Sequence, residues 1–451
     1  MRLEKLMNYI GQIDDNIITE ADIQIENEQL VKRPWAKWVA AVATVCLIVS
    51  IPLIQYFTQS TDPLENKDLP GIVVDPIDYP DLPKLIVSMD GGAYGFEGLL
   101  AYDISELQNG NPWTTDNVLT TLPVFANPNE RDGAGMVIAG LSTEELLEQA
   151  ENIADLFKLD IISLSTKPTM EEIAIITEKI KQGFGGLDGY EEELRQNTAV
   201  YQVMAKCVGA TIVVAKSGNI IITLTPETVD LISNIDKLND YDNFVIEFDY
   251  GNGLPLSNDY KFTWDTPNHQ ARDITEYLLS EYGDFMHITS PGYDLFADYT
   301  FSANLTRLNT FVFENSGSAE ERILNYNFHR LYFSPTEGGG LGSIKYYNID
   351  LSNKLGDYPI ITAEKAHELL YNKSYITSVP YELPDEKYVA HVELMYRTSG
   401  FEEMFMPYYR FLIELPTMQH ENGLKTFGAF YVPAVEGRYL DNMPVWDGSF
   451  N

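Results

Sequence analysis

Cysteine is almost absent from this 451-residue chain: there are two, Cys46 inside an apolar run and Cys207 in a predicted strand. That excludes a disulfide framework and any C-x-x-C zinc motif. A large outside domain without disulfides suits a bacterial surface better than an animal secretory route. Basic residues are also scarce, 30 Lys and Arg against 67 Asp and Glu, for a formal net charge of −37. A surface this acidic repels phosphate backbones and anionic polymers, so nucleic acid is not expected as a partner. Cationic peptides, basic protein faces or divalent ions suit it better.

The usual chemical signatures are missing as well. No G-x-S-x-G occurs, so a serine hydrolase has no starting nucleophile. His367 and Glu368 begin H-E-L-L-Y, but the zinc protease motif needs a second His at 371, where Tyr stands. The six histidines, at 269, 287, 329, 367, 391 and 420, are never closer than 18 residues, so no local metal pair exists. Gly338 to Ser343, GGGLGS, lacks the Lys of a phosphate loop and precedes a strand-like segment, which reads as a hairpin. The acid clusters LDGYEEEL and NDYDNF lack the fixed glycine and terminal Glu of a calcium loop. These absences predict a non-enzymatic protein without metal or cofactor, although scattered acids leave a hydrolase open on spacing alone.

What is present begins with one long apolar run. Trp38 to Phe57 contains no charged side chain, and its 20 residues would span about 30 Å as a helix. Trp35 and Trp38 at one end and Tyr56 and Phe57 at the other sit where interfacial aromatics belong. About 34 polar residues precede it, no A-x-A follows, and Ala43, Thr44 and Val45 make a poor lipobox before Cys46. The segment 35–57 is therefore expected to be a permanent transmembrane helix with the lipid bilayer as its partner. Lys32, Arg33 and Lys37 flank its amino end, which predicts a cytoplasmic tail, 1–34, and an extracytoplasmic remainder in the cell membrane. Residues 1–59 hold five basic and seven acidic side chains, leaving a net charge of −35 outside.

In the tail, Leu3, Leu6, Met7, Ile10, Ile13 and Ile17 recur at spacings of three and four, one helical stripe. With no core of its own, this stripe should pack on a cytoplasmic partner or lie on the membrane surface. LMNYIGQIDDNIITEAD, followed by KRPWAKW and the apolar run, resembles the amino-terminal segment of single-pass, anti-sigma-factor-like membrane proteins of Firmicutes. The resemblance covers residues 3 to about 57 and implies a regulatory partner in the cytoplasm; the His and Cys set of the zinc-type tails is not present.

Residues 58–86 carry Pro63, Pro70, Pro76, Pro80 and Pro83 among acids, which predicts an extended stalk. Beyond it, hydrophobic residues at 45% and aromatics at 12% of the chain support folded cores. Three regions are expected: 87–255, 256–357 and a helix-plus-meander domain, 358–451.

Helix starts are marked by Ser142 with Glu145, by Thr169 with Glu172, by Thr225-Pro226 and by Thr362. The first helix should bury Leu146, Ala150, Ile153, Ala154 and Phe157, and the third Leu231, Ile232, Ile235 and Leu238. YQVMAKCVGATIVVAKSGNIIITL reads as adjacent strands turning at Ser217, Gly218 and Asn219. Helices mingle with hairpins rather than alternating with single strands, so the fold class is α+β, antiparallel sheets packed with helices.

In the last region, ITAEKAHELL precedes the strands AHVELMYR, YYRFLIELP and LKTFGAFYVPA. Over 358–435 this layout is similar to PepSY-type extracytoplasmic modules, which implies binding or inhibition rather than catalysis. Ala390, Val392, Leu394 and Tyr396 alternate inward, as do Tyr409, Phe411, Ile413 and Leu415. The opposite face then carries His391, Glu393, Arg397, Arg410 and Glu414, a set that would bind a peptide terminus or a charged wall fragment, or simply form cross-strand ion pairs. The 28 tyrosines either stack on sugars or peptides or line amphipathic core edges. The overall expectation is an extracytoplasmic binding or sensory protein, regulatory through its tail, or else a module that binds cell-wall glycan or peptide without signalling.

Overall fold

The computed structural model of the chain describes residues 81–88, 98–128, 140–183, 198–249, 251–377, 379–399 and 402–448, all within one compact unit spanning 80–451. The predicted tail with its stripe from Leu3 to Ile17, the predicted transmembrane segment 35–57 and the stalk up to residue 80 lie outside the described residues. Among the described residues, no helix is long and apolar enough to cross a membrane.

The helix signals act where they are local. Helix α1, Thr143–Phe157, starts at a reciprocal capping box between Ser142 and Glu145, and it buries Leu146, Ala150, Ile153, Ala154 and Phe157. Helix α2, Met170–Gly183, starts at the matching exchange between Thr169 and Glu172. Helix α3, Asn268–Tyr282, buries Ala271, Ile274 and Leu278; helix α4, Ala319–Phe328, has its own Ser318 and Glu321 box. Helix α5, Ala363–Tyr371, is capped by Thr362 and buries Ala366 and Leu370. The segment after Thr225-Pro226 departs from expectation. It is a 3₁₀ run, Val229–Leu238, with a kink at Asn234 and only Ile235 and Leu238 buried.

Two sheets dominate. The larger has nine strands in the order β3 (Ile161–Lys167), β4 (Gln202–Cys207), β5 (Ala210–Ala215), β6 (Ile220–Leu224), β7 (Asn243–Phe248), β13 (Leu341–Asn348), β12 (His329–Pro335), β11 (Thr310–Glu314) and β8 (Pro291–Asp294). Its neighbours are antiparallel except β6 and β7, which run parallel because the 3₁₀ run carries the chain back between them. Alternating residues such as Val203, Ile212, Ile222, Ile246, Leu331 and Ile344 share one core with the buried faces of α1 and α3. A turn at Gly209, with φ +75°, separates β4 from β5, so the long strand-like stretch holds three strands.

The second sheet runs β1 (Gly98–Ala101), β19 (Lys425–Pro433), β18 (Pro407–Glu414), β16 (Val389–Tyr396), with β15 (Ile376–Thr377) also paired to β19. Beside it, β14 (Lys354–Pro359), β2 (Thr121–Ala126) and β17 (Met404–Phe405) form a three-stranded sheet, and β9 (Asp298–Tyr299) with β10 (Leu305–Thr306) makes a short hairpin. The architecture is α+β with antiparallel sheets.

The sheets run across the boundaries expected from sequence. The pairing of β7 with β13 joins residues on both sides of 255, and β1 and β2 pair with strands of the last hundred residues. The end of the expected stalk also belongs to the body: the Leu85 amide donates to the Tyr439 carbonyl at 2.8 Å, and its side chain is fully buried. The reason is geometric. The carboxyl-terminal sheet has an apolar second face that Leu85, Val87 and Val124 cover, and β1 extends its edge beside β19.

Candidate functional site

The five residues expected on a solvated face do not share one. One face of β16, β18 and β19 packs Leu394, Tyr396, Phe411, Ile413 and Phe430 with α5, whereas the other packs Tyr408, Leu412, Phe427 and Tyr431 with Leu85, Ala101 and Val124. Both faces are covered, so the expectation of a free charged surface is corrected. A bulge between Val389 and His391 adds a second departure, since it sends Val389 to the first core and Ala390 to the second.

Within this double layer the charged residues become ion pairs. Glu393 stands opposite Arg410 and is buried against its guanidinium. Glu393 Oε2 has no hydrogen-bond partner among the described residues, and His391 Nε2 lies 4.0 Å from it. Burial holds His391 below the usual histidine value despite that carboxylate, so it is neutral near pH 7. Arg397 is 1% exposed, 2.9 Å from Glu402, with its guanidinium over the Tyr408 and Tyr431 rings. Glu414 pairs with Lys425 at 2.9 Å near the surface. Of the five, Arg410 also lines a cavity.

That cavity is a cleft of about 300 Å³ between the two large sheets. Leu99, Met395 and Arg410 contribute from the five-stranded sheet; Asp294, Phe311 and Arg330 come from the edge of the nine-stranded one, with Tyr326 from α4. Phe296, Asp298, Thr306, Leu308 and Asn309 line it from the segment that carries the β9–β10 hairpin, and Asn109 from the loop after β1.

Each polar group is positioned by identifiable contacts. Asp294 is buried and accepts from the Phe296 amide and the Tyr326 hydroxyl, both at 2.9 Å. Burial raises its carboxyl, and those two donors together with the Arg330 charge pull the other way. Arg330 lies over the Phe311 and Tyr326 rings, 4.5 and 5.0 Å from their centres, and donates to the Tyr332 hydroxyl at 3.0 Å and the Asn327 carbonyl at 3.1 Å. Its Nε has no hydrogen-bond partner among the described residues. Asp298 is pushed up to about 6, with burial as the cause.

The loop carrying this wall is clamped by Arg307, which is wholly buried. Its guanidinium donates to the carbonyls of Thr266 and Leu295 and to Asn268 Oδ1, and burial lowers it to about 10. At the hairpin's other side, Tyr299 donates to Glu106 at 3.2 Å, and Phe301 rests edge-on against His420. Asn109 is held by a close approach: a Cβ on Gly110 would meet the Tyr293 carbonyl oxygen at 2.0 Å.

Sequence reasoning missed Asp294, Asp298 and Arg330. A signal did exist for Arg330, because Leu331, Phe333 and Pro335 alternate inward and leave Arg330 and Tyr332 on the other face. They pair there with Tyr347 and Lys345, giving a cross-strand patch of cations and aromatic rings. Nothing local marks the two aspartates. Among the described residues no cluster of His, Cys, Asp or Glu could hold a metal ion. No family model matches the chain, and neither does any curated protein or any solved structure.

Proposed function

We propose that this chain is a membrane-anchored extracytoplasmic binding or sensory protein, non-enzymatic, whose ligand enters the cleft between the two large sheets and whose tail, 1–34, contacts a cytoplasmic regulatory protein. The observation that carries the binding half is a half-enclosed cavity that places Arg330, Arg410, Asp294 and Asp298 among Phe296, Phe311 and Leu308. A mostly apolar wall with a few convergent charges is the usual make-up of a small-ligand site. The regulatory half rests on the apolar stripe from Leu3 to Ile17 and on the resemblance of residues 3–57.

The alternative, a module for wall glycan or peptide with an inert tail, uses the same cleft. Cross-linking in cells separates the two: a cytoplasmic protein captured by the full chain and lost on deleting residues 2–34 supports the regulatory version, and no specific capture removes it. Binding of soluble cell-wall digests to the purified full chain, with loss in a Leu308→Trp variant that fills the mouth, tests the cleft itself.

A second reading has one observation in its favour. Two acids with raised carboxyl values, Asp294 and Asp298, share the cleft, which is an arrangement that acid–base catalysis uses. Asp294 already accepts from two donors, so Asp298 would act alone. Turnover of wall digests that disappears in Asp298→Asn would establish this hydrolytic reading over the non-enzymatic one.

A further inference from the structure

We propose that the cleft takes a small zwitterion, its carboxylate toward Arg330 and Arg410 and its ammonium toward Asp298: a free α-amino acid or a short peptide. This rests on reading the cleft as a ligand site and names the chemistry of what fills it.

The argument starts from charged groups that the fold leaves without an ion pair. In a chain with 67 acids and 30 bases, a half-buried guanidinium would ordinarily find a carboxylate. Arg330 does not: its hydrogens go to a hydroxyl and a carbonyl, and no carboxylate of the described residues lies within 4.0 Å of it. Its plane is fixed by the rings of Phe311 and Tyr326, so it meets an incoming anion without having to be ordered first. Arg410 lines the same cleft with its positive charge partly balanced by Glu393. Arg330 is therefore a guanidinium of the cleft that no carboxylate of the described residues contacts, with Asp294 acting on it only at longer range.

The cleft also holds the converse, an acid with no cation of the described residues in contact with it. Asp294 is occupied by the Phe296 amide and the Tyr326 hydroxyl, so it positions the ring under Arg330 rather than meeting ligand. Asp298 is half-buried, burial dominates its environment, and neither arginine offsets its charge. An acid with no cation in contact and a guanidinium with no carboxylate in contact, lining one cavity of about 300 Å³, are complementary to a molecule that carries both charges. Apolar side chains such as Phe296 line the same cleft.

Calorimetric titration of the full chain in detergent with L-alanine, L-leucine, L-alanyl-L-alanine, and the N-acetylated and C-amidated forms of that dipeptide tests this. Saturable binding of a free amino acid or of the free dipeptide is expected, and which one binds identifies the source. Acetylation and amidation should each weaken dipeptide binding at least tenfold where the dipeptide is the ligand; where an amino acid is, its own acetyl and amide derivatives take that place. Asp298→Asn should weaken the free form tenfold and leave the acetylated form unchanged. Blocked forms that bind as well as free ones would overturn the zwitterion while leaving the cleft a binding site, and so would absence of binding by every free form when wall digests still bind. Loss of both kinds of binding would remove the cleft reading itself.

Discussion

Two buried ionisable residues outside the cleft show how single side chains set this fold's response to solvent. Glu402 is 3% exposed beside Arg397, and burial lifts it to about 7 although the arginine opposes that shift. An exposed glutamic acid in the unfolded chain titrates near 4.5, so between those values the folded chain keeps a proton that the unfolded chain has released. Stability must then fall as pH rises from about 4.5 to about 7, and the stabilising share of this group is gone above that range. Urea unfolding across this interval should show that downward slope, and Glu402→Gln should flatten it. Arg307 makes a different prediction. Removing its guanidinium leaves the Thr266 and Leu295 carbonyls without their donor, so Arg307→Met is expected to lower the unfolding free energy by about 3 kcal/mol, read as a drop in the urea midpoint. Neither role was legible in the sequence: Arg307 takes partners from Thr266 and Asn268, far back along the chain, and the nearness of Arg397 to Glu402 does not by itself announce that both are buried.

At the scale of elements, legibility follows the range of the interaction. Ser142 and Glu145 are three residues apart, and their mutual hydrogen bonds need only the first turn of α1, so the sequence announces that helix. The carboxyl-terminal strands were legible for the same reason: alternation is local, and Leu394, Tyr396, Phe411 and Ile413 point into the core it indicated. The bulge at Ala390 was not, since an extra residue changes face only when a partner strand imposes a register. The loop that holds Asn109 is another case. Its Gly110 sits against the Tyr293 backbone with no room for a methyl group, so Gly110→Ala is expected to push the loop off β8 at a cost of about 1 to 3 kcal/mol and to weaken ligand binding in the cleft. Thermal unfolding together with the titration described above would register both effects; an unchanged midpoint would show that the loop yields freely.

For the whole body, the decisive fact is that strands from both ends of the described chain share sheets. Gly98 to Ala101 pairs with Gly428 to Lys425, and Thr121 to Ala126 pairs with strands on either side of it in space. Residues 358–451 alone would expose the face that Leu85, Ala101, Leu107 and Val124 cover, at roughly 1.5 to 3 kcal/mol for each large apolar side chain uncovered. That fragment is expected to give a poorly dispersed amide spectrum in NMR, whereas residues 80–451 should unfold in one cooperative transition. A well-dispersed spectrum from the fragment would restore the independent domain expected from its helix and meander.

Composition, the single apolar run and local caps by themselves determined an acidic chain, an expected anchor at 35–57, the starts of α1, α2 and α5, and an α+β class, because each depends on neighbours within a few turns or strand steps. Tertiary structure alone decided that Glu393 and Arg397 are buried ion-pair partners rather than a solvated binding face, and that Asp294, Asp298, Arg330 and Arg410 meet in one cleft. The physical reason is that burial and unbalanced charge are properties of what surrounds a side chain. For these residues the surroundings come from strands as far apart in sequence as β1 and β18.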